Sequence, residues 1–355
     1  MDSHRLDSRL TQLTPMALHV AMRKLCEIDE FKGWWGRQEL PGLVSRDSIT
    51  GRVVEDSVNA FVRLEGRGGG EGGGARSGRD VDEYESPAHA GYAEVLRIVL
   101  ETYPEMVFEE DLVLQLQARL LRYSHADKAQ RGRYRSGADK LGVGRRVRTD
   151  PVALMPAAPH LAAPETKALI EWATSRLAYS DFHPLLVVAS FLLEFAAIRP
   201  FADGNGRLTR ILTNLLLLQC GYTQVAYISF DAVLAGRWTP CHLALRRSQA
   251  TRNLPRPDIA PWLGAFLDVI REHIGKAKAL VEQRPDDRLL SANQVAVLRL
   301  LERNREITNR LVCRGLDLPR DTAKQALKRL SALGLVERIG AGRSVRYRRV
   351  ARSGQ

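Results

Sequence analysis

Residues suited to phosphate and metal chemistry are concentrated in one stretch of the chain, from Ile198 to Arg210. Asp203, in the middle of it, offers the hard carboxylate oxygen that Mg²⁺ prefers, which makes it the candidate metal ligand. The next three residues have little side-chain bulk, so they predict a tight turn whose backbone N–H groups face an anion. These candidate nucleotide-binding residues are Gly204, Asn205 and Gly206.

Two arginines continue the stretch at the start of a predicted helix, Leu208 to Cys220, whose N-terminal dipole favours an anion. Arg207 and Arg210 are three positions apart, so they share one face of that helix. Guanidinium groups can hold phosphate oxygens through charge-assisted hydrogen bonds. The stretch therefore predicts a site for a phosphate chain accompanied by a divalent cation.

The same stretch resembles the signature of the Fic (Fido) family, His-Pro-Phe-x-Asp/Glu-Gly-Asn-Gly-Arg-x-x-Arg. Fic proteins transfer AMP, or sometimes another phosphate-containing group, from a nucleotide to a protein hydroxyl. Arg199 stands where the family has its histidine. The positions that match are Pro200, Phe201, Asp203, Gly204, Asn205, Gly206, Arg207 and Arg210.

The resemblance implies ATP as the nucleotide, Mg²⁺ at Asp203, and a mechanism in which the absent histidine is the general base. A general base needs a pKa near the working pH, whereas arginine stays protonated. Arg199 is therefore not expected to act as the base, although it adds positive charge near the phosphates. Loss of a positioned base typically costs about 10²–10⁴-fold in rate, so nucleotide binding is expected to survive better than transfer.

A predicted helix from Asp47 to Leu64 leads into Glu65 and Gly66, which resemble the end of the family's inhibitory pattern, Ser/Thr-x-x-x-Glu-Gly/Asn. The resemblance implies that Glu65 pairs with Arg210 and blocks productive placement of the γ-phosphate. Phe61 occupies the Ser/Thr position, so the match is partial. The alternative is a solvated glutamate near a helix C-terminus, where the helix dipole disfavours a carboxylate.

Positions elsewhere both extend and weaken the resemblance. Gly132, Tyr134 and Arg135 match a Gly-x-Tyr/Phe-Arg stretch of the family, although by themselves they predict only a basic loop near anionic ligands. His183 precedes the signature by about four helical turns, or roughly 20 Å, so we expect it to cap a helix. A Tyr-Tyr pair that lines the family's nucleotide pocket is replaced here by Pro240-Cys241-His242.

Composition narrows the class of protein and its partners. The 355 residues allow two or three domains, and the net charge of +12 suggests nucleic acid or nucleotide as a partner. The four cysteines lack metal-knuckle or redox spacing, which favours reduced thiols. The sequence shows no signal peptide, and its longest apolar run, Leu185 to Ile198, is too short to span a bilayer. A cytoplasmic protein without a membrane partner is the expectation.

The C-terminal segment is strongly basic, with sixteen lysines and arginines against seven carboxylates in residues 286–355. Three predicted helices and a hairpin about a glycine turn resemble a winged helix-turn-helix. The resemblance places the helix from Arg320 to Leu333 in the major groove of DNA and the wing from Arg343 to Arg349 on phosphates. The alternative is a protein-contact domain with a solvated basic face. The candidate DNA-binding residues are Arg320, Lys324, Lys328, Arg343 and Arg346.

Together these elements predict a mainly α protein, with a Fic-type helical bundle followed by a small winged-helix α+β domain. Residues 1–90 are predicted to hold N-terminal helices, the inhibitory helix and a Gly-rich loop. The Fic-type core is predicted over 91–282 and the winged helix over 286–355. The Pro- and Ala-rich run from Pro151 to Pro164 predicts a loop inside the core.

Three functional hypotheses follow. The first is a degenerate Fic protein that binds ATP without efficient transfer and is coupled to DNA as a regulator. The second is a working protein adenylyltransferase that uses a base other than the usual histidine on a protein target. The third is a DNA-binding regulator in which the Fic fold serves only as a scaffold. A homodimer is compatible with all three.

Overall fold

The computed structural model describes residues 3–38, 46–67, 87–123, 128–136, 156–179, 182–282, 291–332, 334–340 and 345–350. The chain divides into two compact units, one formed by residues 1–37 and 50–277 and the other by residues 38–49 and 278–355. Helices dominate both units, and the strands of the described part belong to the second unit. The predicted fold class, a helical bundle followed by a small α+β domain, is confirmed.

Helices α1 to α11 lie wholly or mainly in the first unit. The predicted helix from Asp47 to Leu64 is observed as α3, which extends three residues further at its C-terminus. The helix bounds are α1 Ser3–Thr11, α2 Pro15–Trp35, α3 Arg46–Arg67, α4 Pro87–Thr102, α5 Glu110–Leu120, α6 Pro159–Tyr179, α7 Pro184–Ile198, α8 Asn205–Gln219, α9 Phe230–Gly236, α10 Trp238–Ala250 and α11 Ala260–Glu282.

Helix α7 forms the centre of the first unit. It is apolar on all sides and almost entirely buried, as expected for a helix surrounded by others. Helices α6, α8 and α10 pack against it. At its start, Nδ1 of His183 accepts a hydrogen bond from the backbone N–H of Leu185 at 3.2 Å. This bond confirms the predicted capping role, and Nε2 of His183 also lies 2.9 Å from Oδ2 of Asp29 on α2.

The prediction of a loop from Pro151 to Pro164 is wrong in its second half. Helix α6 begins at Pro159 and continues through Pro164. Pro159 stands at the first helical position, where proline is tolerated, whereas Pro164 lies inside the helix. Ala162 and Thr166 are buried on the inner face of α6, and burial of this face outweighs the disruption caused by Pro164.

The described part of residues 286–355 forms three helices and one hairpin, as predicted. The elements are α12 Ala292–Arg303, α13 Asn309–Leu316, α14 Arg320–Ala332, β1 Val336–Ile339 and β2 Arg346–Arg349. The two strands pair antiparallel, with Val336 opposite Arg349 and Ile339 opposite Arg346. A small core from all three helices and β1 holds the unit together, and its members include Leu298, Val312, Leu327, Leu330 and Val336.

Candidate functional site

The predicted phosphate stretch forms the connection between α7 and α8. Arg199 follows the end of α7 in the left-handed region, with φ of 49°, and Gly204 precedes α8 with φ of 82°. Glycine adopts this conformation without strain, so Gly204 turns the chain directly into the helix. The predicted tight turn is therefore wrong in extent, because Asn205 and Gly206 already belong to the first turn of α8.

Asn205 fixes the shape of this loop. Its Oδ1 accepts a hydrogen bond from the backbone N–H of Phe201 at 3.0 Å, and its Nδ2 donates to the Phe201 carbonyl at 2.7 Å. The N-cap residue of α8 is Gly204, which has no side chain to accept a hydrogen bond from the first N–H groups of the helix. The first backbone N–H groups of a helix lack intrahelical acceptors, so the start of α8 is suited to an anion.

Arg135 and Tyr134 support the loop from its side. Nε of Arg135 donates to the carbonyl of Arg199 at 2.8 Å, and its backbone N–H donates to the carbonyl of Pro200 at 3.0 Å. The ring of Tyr134 stacks on Phe201, with centroids 5.5 Å apart and an interplanar angle of 12°. Arg135 is thus committed to backbone carbonyls. Its role is to position the loop, which the basic character of the segment alone did not indicate.

Asp203 is held by the first arginine of the stretch. Its Oδ2 accepts a hydrogen bond from Nη2 of Arg207 at 2.6 Å, and 42% of its side chain is exposed. Over the described ranges, no three His, Cys, Asp or Glu side chains lie close enough together to share a metal ion. A divalent cation at Asp203 would have to share the carboxylate with a guanidinium. Mg²⁺ commonly takes one carboxylate and completes its shell with water and phosphate oxygens, so it is the pairing with Arg207, and not the lack of a cluster, that disfavours Mg²⁺ at Asp203.

Arg210 is nine-tenths buried, and its guanidinium lies over two aromatic rings. Its Cζ is 5.2 Å from the ring centroid of Phe61 and 5.4 Å from that of Tyr92. A Cβ at Gly206 would lie 3.9 Å from Nη1 of Arg210, so the guanidinium is beside the start of α8. Nε and Nη2 have no hydrogen-bond partner among the residues that the structure describes. The hydroxyl of Tyr92 also lies within hydrogen-bonding reach of Arg210, so Nε and Nη2 are the donors that an anion would satisfy.

A buried carboxylate stands behind these rings. Asp231, in the first turn of α9, is fully buried and accepts a hydrogen bond from the hydroxyl of Tyr92. Burial raises the pKa of Asp231, and the charge of Arg210 together with hydrogen bonds from Tyr92 and Ser57 opposes that rise. Sequence reasoning missed Tyr92 and Asp231 as neighbours of Arg210. The two are 139 positions apart, and no local spacing connects them.

Helix α3, which contains the residues that resemble the inhibitory pattern, lies next to Arg210. Phe61, at the Ser/Thr position of the pattern, contacts Arg210, and Oγ of Ser57 lies 2.7 Å from Oγ of Ser229 just before α9. The backbone of position 65 belongs to α3, one turn after Phe61. The side chain of Glu65 lies outside the described part, so its pairing with Arg210 stays a prediction.

Arg199 occupies the position at which a base would be needed. Its side chain is partly buried, and its Nε is buried without a hydrogen-bond partner in the described ranges. Burial lowers the pKa of Arg199, and the negative charge of Asp203 opposes this shift. Arginine nonetheless stays protonated in proteins, so Arg199 offers a fixed positive charge and no proton acceptor. His183 caps the opposite end of α7 and does not replace it.

Comparison with known proteins agrees with this geometry. Residues 107–217 match the Fic/DOC family model, and this range contains Arg135, the loop from Arg199 to Gly204 and the start of α8. The chain carries a Fic/DOC family domain. Residues 290–337 match a second model, winged helix-turn-helix DNA-binding, so the C-terminal unit carries a winged-helix domain.

Curated relatives align with about a third of the chain. The protein adenylyltransferase Fic of Aedes aegypti is 32% identical over 113 residues, which cover 32% of this chain and 20% of that protein. The protein of the same name from Nematostella vectensis is 30% identical over 115 residues, covering 32% of this chain and 24% of the relative. The alignments therefore span about a fifth to a quarter of these relatives.

The fold extends beyond the aligned sequence. A crystal structure of a Fic family protein from Desulfovibrio desulfuricans matches with a TM-score of 0.58 at 21% identity. The match covers 97% of this chain and 98% of that one. At this identity the likeness shows a shared fold over nearly the whole chain, with the winged helix included.

The second helix of the helix-turn-helix presents a free polar face. Along α14, Ala323, Ala326, Leu327 and Leu330 are buried, while Arg320, Lys324, Gln325 and Lys328 are exposed. Within the described ranges, the side chains of Lys324 and Lys328 form no hydrogen bond and no ion pair. The predicted residues Arg320, Lys324 and Lys328 therefore share one exposed helix, and their positive charges are not neutralised by nearby carboxylates of the unit.

The wing strand differs from the helix in its charge. All three arginines of β2 are paired with a glutamate. The ion pairs are Arg346–Glu306 at 3.1 Å, Arg348–Glu337 at 2.6 Å and Arg349–Glu302 at 3.4 Å. The glutamates cancel the local charge and repel phosphates. Arg343 lies outside the described residues. Of the predicted basic surfaces, α14 is thus the better suited to phosphate contact.

The helices that the structure describes include none with the length and apolar character needed to cross a membrane.

Proposed function

We propose that the Fic domain binds ATP through its phosphate chain without efficient AMP transfer, and that the winged helix binds DNA as the output of a regulator. The observation that carries this proposal is the combination of a retained anion cradle with Arg199 in place of the base. The start of α8 and the free edge of Arg210 supply donors for phosphate oxygens. The proton acceptor needed to activate a protein hydroxyl is absent from position 199.

AMP transfer needs a proton acceptor at position 199. The target hydroxyl attacks the α-phosphate, pyrophosphate leaves, and the hydroxyl proton must pass to a base. A guanidinium at Arg199 can stabilise negative charge on the phosphates, but it cannot take that proton. We therefore expect the Fic domain to bind ATP, and the rate of AMP transfer to be reduced by about 10²–10⁴-fold.

A labelling assay tests the first part. ATP labelled at the α-phosphate is incubated with the wild-type chain and with Arg199→His, each alone and with a cell lysate. We expect label to appear only with Arg199→His, and more of it with the added change Glu65→Gly, which removes the predicted inhibitory carboxylate. Label transferred by the wild type would contradict the proposal. Arg199→His combined with Arg210→Ala is the control, because it restores the base but removes a phosphate ligand.

A working adenylyltransferase is the second candidate, and the relatives named protein adenylyltransferase favour it. It requires another base and a protein hydroxyl as target. Label on wild-type protein or on lysate proteins would select this candidate. If calorimetry detects no ATP binding, only the scaffold hypothesis is left for the Fic domain.

A further inference from the structure

Arg207 already provides the counter-charge that Asp203 would otherwise find in a metal ion. The carboxylate of Asp203 accepts a hydrogen bond from Nη2 of Arg207 at 2.6 Å. The Arg207 side chain is 9% exposed, so this guanidinium is held inside the fold. A buried cation at hydrogen-bonding distance lowers the affinity of a carboxylate for a second cation, since the two cations repel each other.

Arg199 brings a further positive charge to the same place. Its left-handed backbone, with φ of 49°, ends α7 and directs the chain into the loop that contains Asp203. The loop is fixed on both sides, by Arg135 at the Arg199 carbonyl and by Asn205 at Phe201. The side chain is partly buried, and its Nε has no partner in the described ranges. A buried donor without an acceptor is costly, and a phosphate oxygen would satisfy it.

The geometry points to a nucleotide site that works without a divalent cation, in which Arg199 provides the positive charge at the phosphate chain that a metal ion would provide. This inference rests on the proposed ATP binding. Arg199 and Arg210 each offer nitrogen donors that lack partners in the described part of the chain. Arg199 follows the end of α7 within electrostatic reach of Asp203, and Arg210 lies beside the start of α8. The phosphate chain is then held by guanidinium groups and backbone N–H groups, and Asp203 serves to orient Arg207.

Calorimetric titration of the full chain with ATP, in EDTA and in excess MgCl₂, tests the inference. For the wild type we expect dissociation constants that agree within about threefold between the two buffers. For Arg199→Ala we expect binding in EDTA to weaken by about tenfold or more, as for loss of one charge-assisted hydrogen bond. Arg199→Lys keeps the charge and should retain most of the affinity in EDTA.

Two controls keep the result specific. Arg97→Ala removes an exposed arginine from α4 and should bind ATP like the wild type in both buffers. Thermal melting followed by tryptophan fluorescence checks that each variant is folded. Wild-type binding that requires Mg²⁺, or an Arg199→Ala variant with unchanged affinity in EDTA, overturns the inference while leaving ATP binding in place. Absence of wild-type binding in both buffers overturns the proposed nucleotide site as well.

Discussion

At the scale of single residues, the environment of Arg210 decides how the site can bind an anion. The guanidinium lies against Phe61 and Tyr92, with the charge of Asp231 behind the rings. The two rings hold the guanidinium in place, and its Nε and Nη2 have no partner in the described ranges and could donate to phosphate oxygens. The contact thus pre-organises Arg210 and reduces the entropy that a bound phosphate would have to remove.

We expect Phe61→Leu to weaken ATP binding by about two- to fivefold, the loss of a cation–π contact of about 0.5–1 kcal/mol. Leucine keeps the residue apolar, so the change in packing is smaller than with alanine. The measurement is calorimetric titration with ATP. Phe31→Leu, in a buried aromatic cluster on α2, is the matched control. Equal affinity of the Phe61 variant and the wild type would show that the rings do not position Arg210.

At the scale of elements, the winged helix separates into a free basic helix and a neutralised strand. Lys324 on α14 has no pairing in the described ranges, whereas Arg346 on β2 is paired with Glu306 at 3.1 Å. Exposed ion pairs are weak, but the glutamate remains near any phosphate that approaches the strand. The two residues should therefore differ in their share of DNA binding.

We expect Lys324→Ala to make the negative slope of log affinity against log salt shallower by about 0.9, the value for one lost phosphate contact. Arg346→Ala should make it shallower by less, because Glu306 already offsets that charge. The measurement is fluorescence anisotropy of a labelled duplex over a series of salt concentrations. Equal slopes for the two variants would argue against the division between helix and strand.

The contact between α11 and α9 carries a pH-dependent part of the stability. His273 on α11 is fully buried beside Phe230, and its Nε2 donates to the carbonyl of Ile228 at 2.9 Å. Burial lowers the pKa of His273 from 6.5 to about 4. The unfolded chain therefore takes up a proton first as the pH falls. The stability due to neutral His273 is complete above pH 6.5 and is lost as the pH falls towards 4.

In the wild type this fall in the free energy of unfolding amounts to about 3 kcal/mol. His273→Gln should make the free energy of unfolding depend less on pH over the same range. Glutamine keeps a donor for the Ile228 carbonyl but does not titrate. Urea unfolding at several pH values measures the effect. Tryptophan fluorescence reports on the first unit alone, because all five tryptophans precede residue 278. His19→Gln, at an exposed position of α2, is the control, and parallel pH profiles for both variants would contradict the assignment.

At the scale of the whole molecule, the proposal requires that the Fic domain and the winged helix communicate. Linkage makes this requirement quantitative, since ATP must change the affinity for DNA by the same factor by which DNA changes the affinity for ATP. We expect a factor of about five or more, the lower end of typical coupling. Anisotropy with and without ATP gives one factor, and calorimetry with and without DNA gives the other.

Arg210→Ala is the variant that identifies the source of this coupling. It should abolish the effect of ATP on DNA binding while leaving DNA affinity without ATP unchanged. DNA affinity that is indifferent to ATP in the wild type would favour the scaffold hypothesis for the Fic domain, even if each ligand binds separately.

Local spacing made much of this protein predictable from its sequence. The run from Pro200 to Arg210, the replacement at Arg199 and the basic helix at Arg320 all depend on residues within a few positions of each other. Helical and turn geometry act over that distance, so the two units' fold classes and the capping by His183 followed from the sequence, and the turn at Gly204 was located but predicted two residues too long.

Contacts between elements distant in the chain were decided only by the tertiary structure. Phe61, Tyr92 and Asp231 meet Arg210 because α3, α4 and α9 pack around α8, and no periodicity in the sequence encodes that meeting. Packing also extended α6 through Pro164, and the fold paired the arginines of β2 with glutamates from other elements. The sequence by itself determined which groups are present, whereas burial and long-range packing determined which of them remain free to bind, because both depend on neighbours far away in the chain.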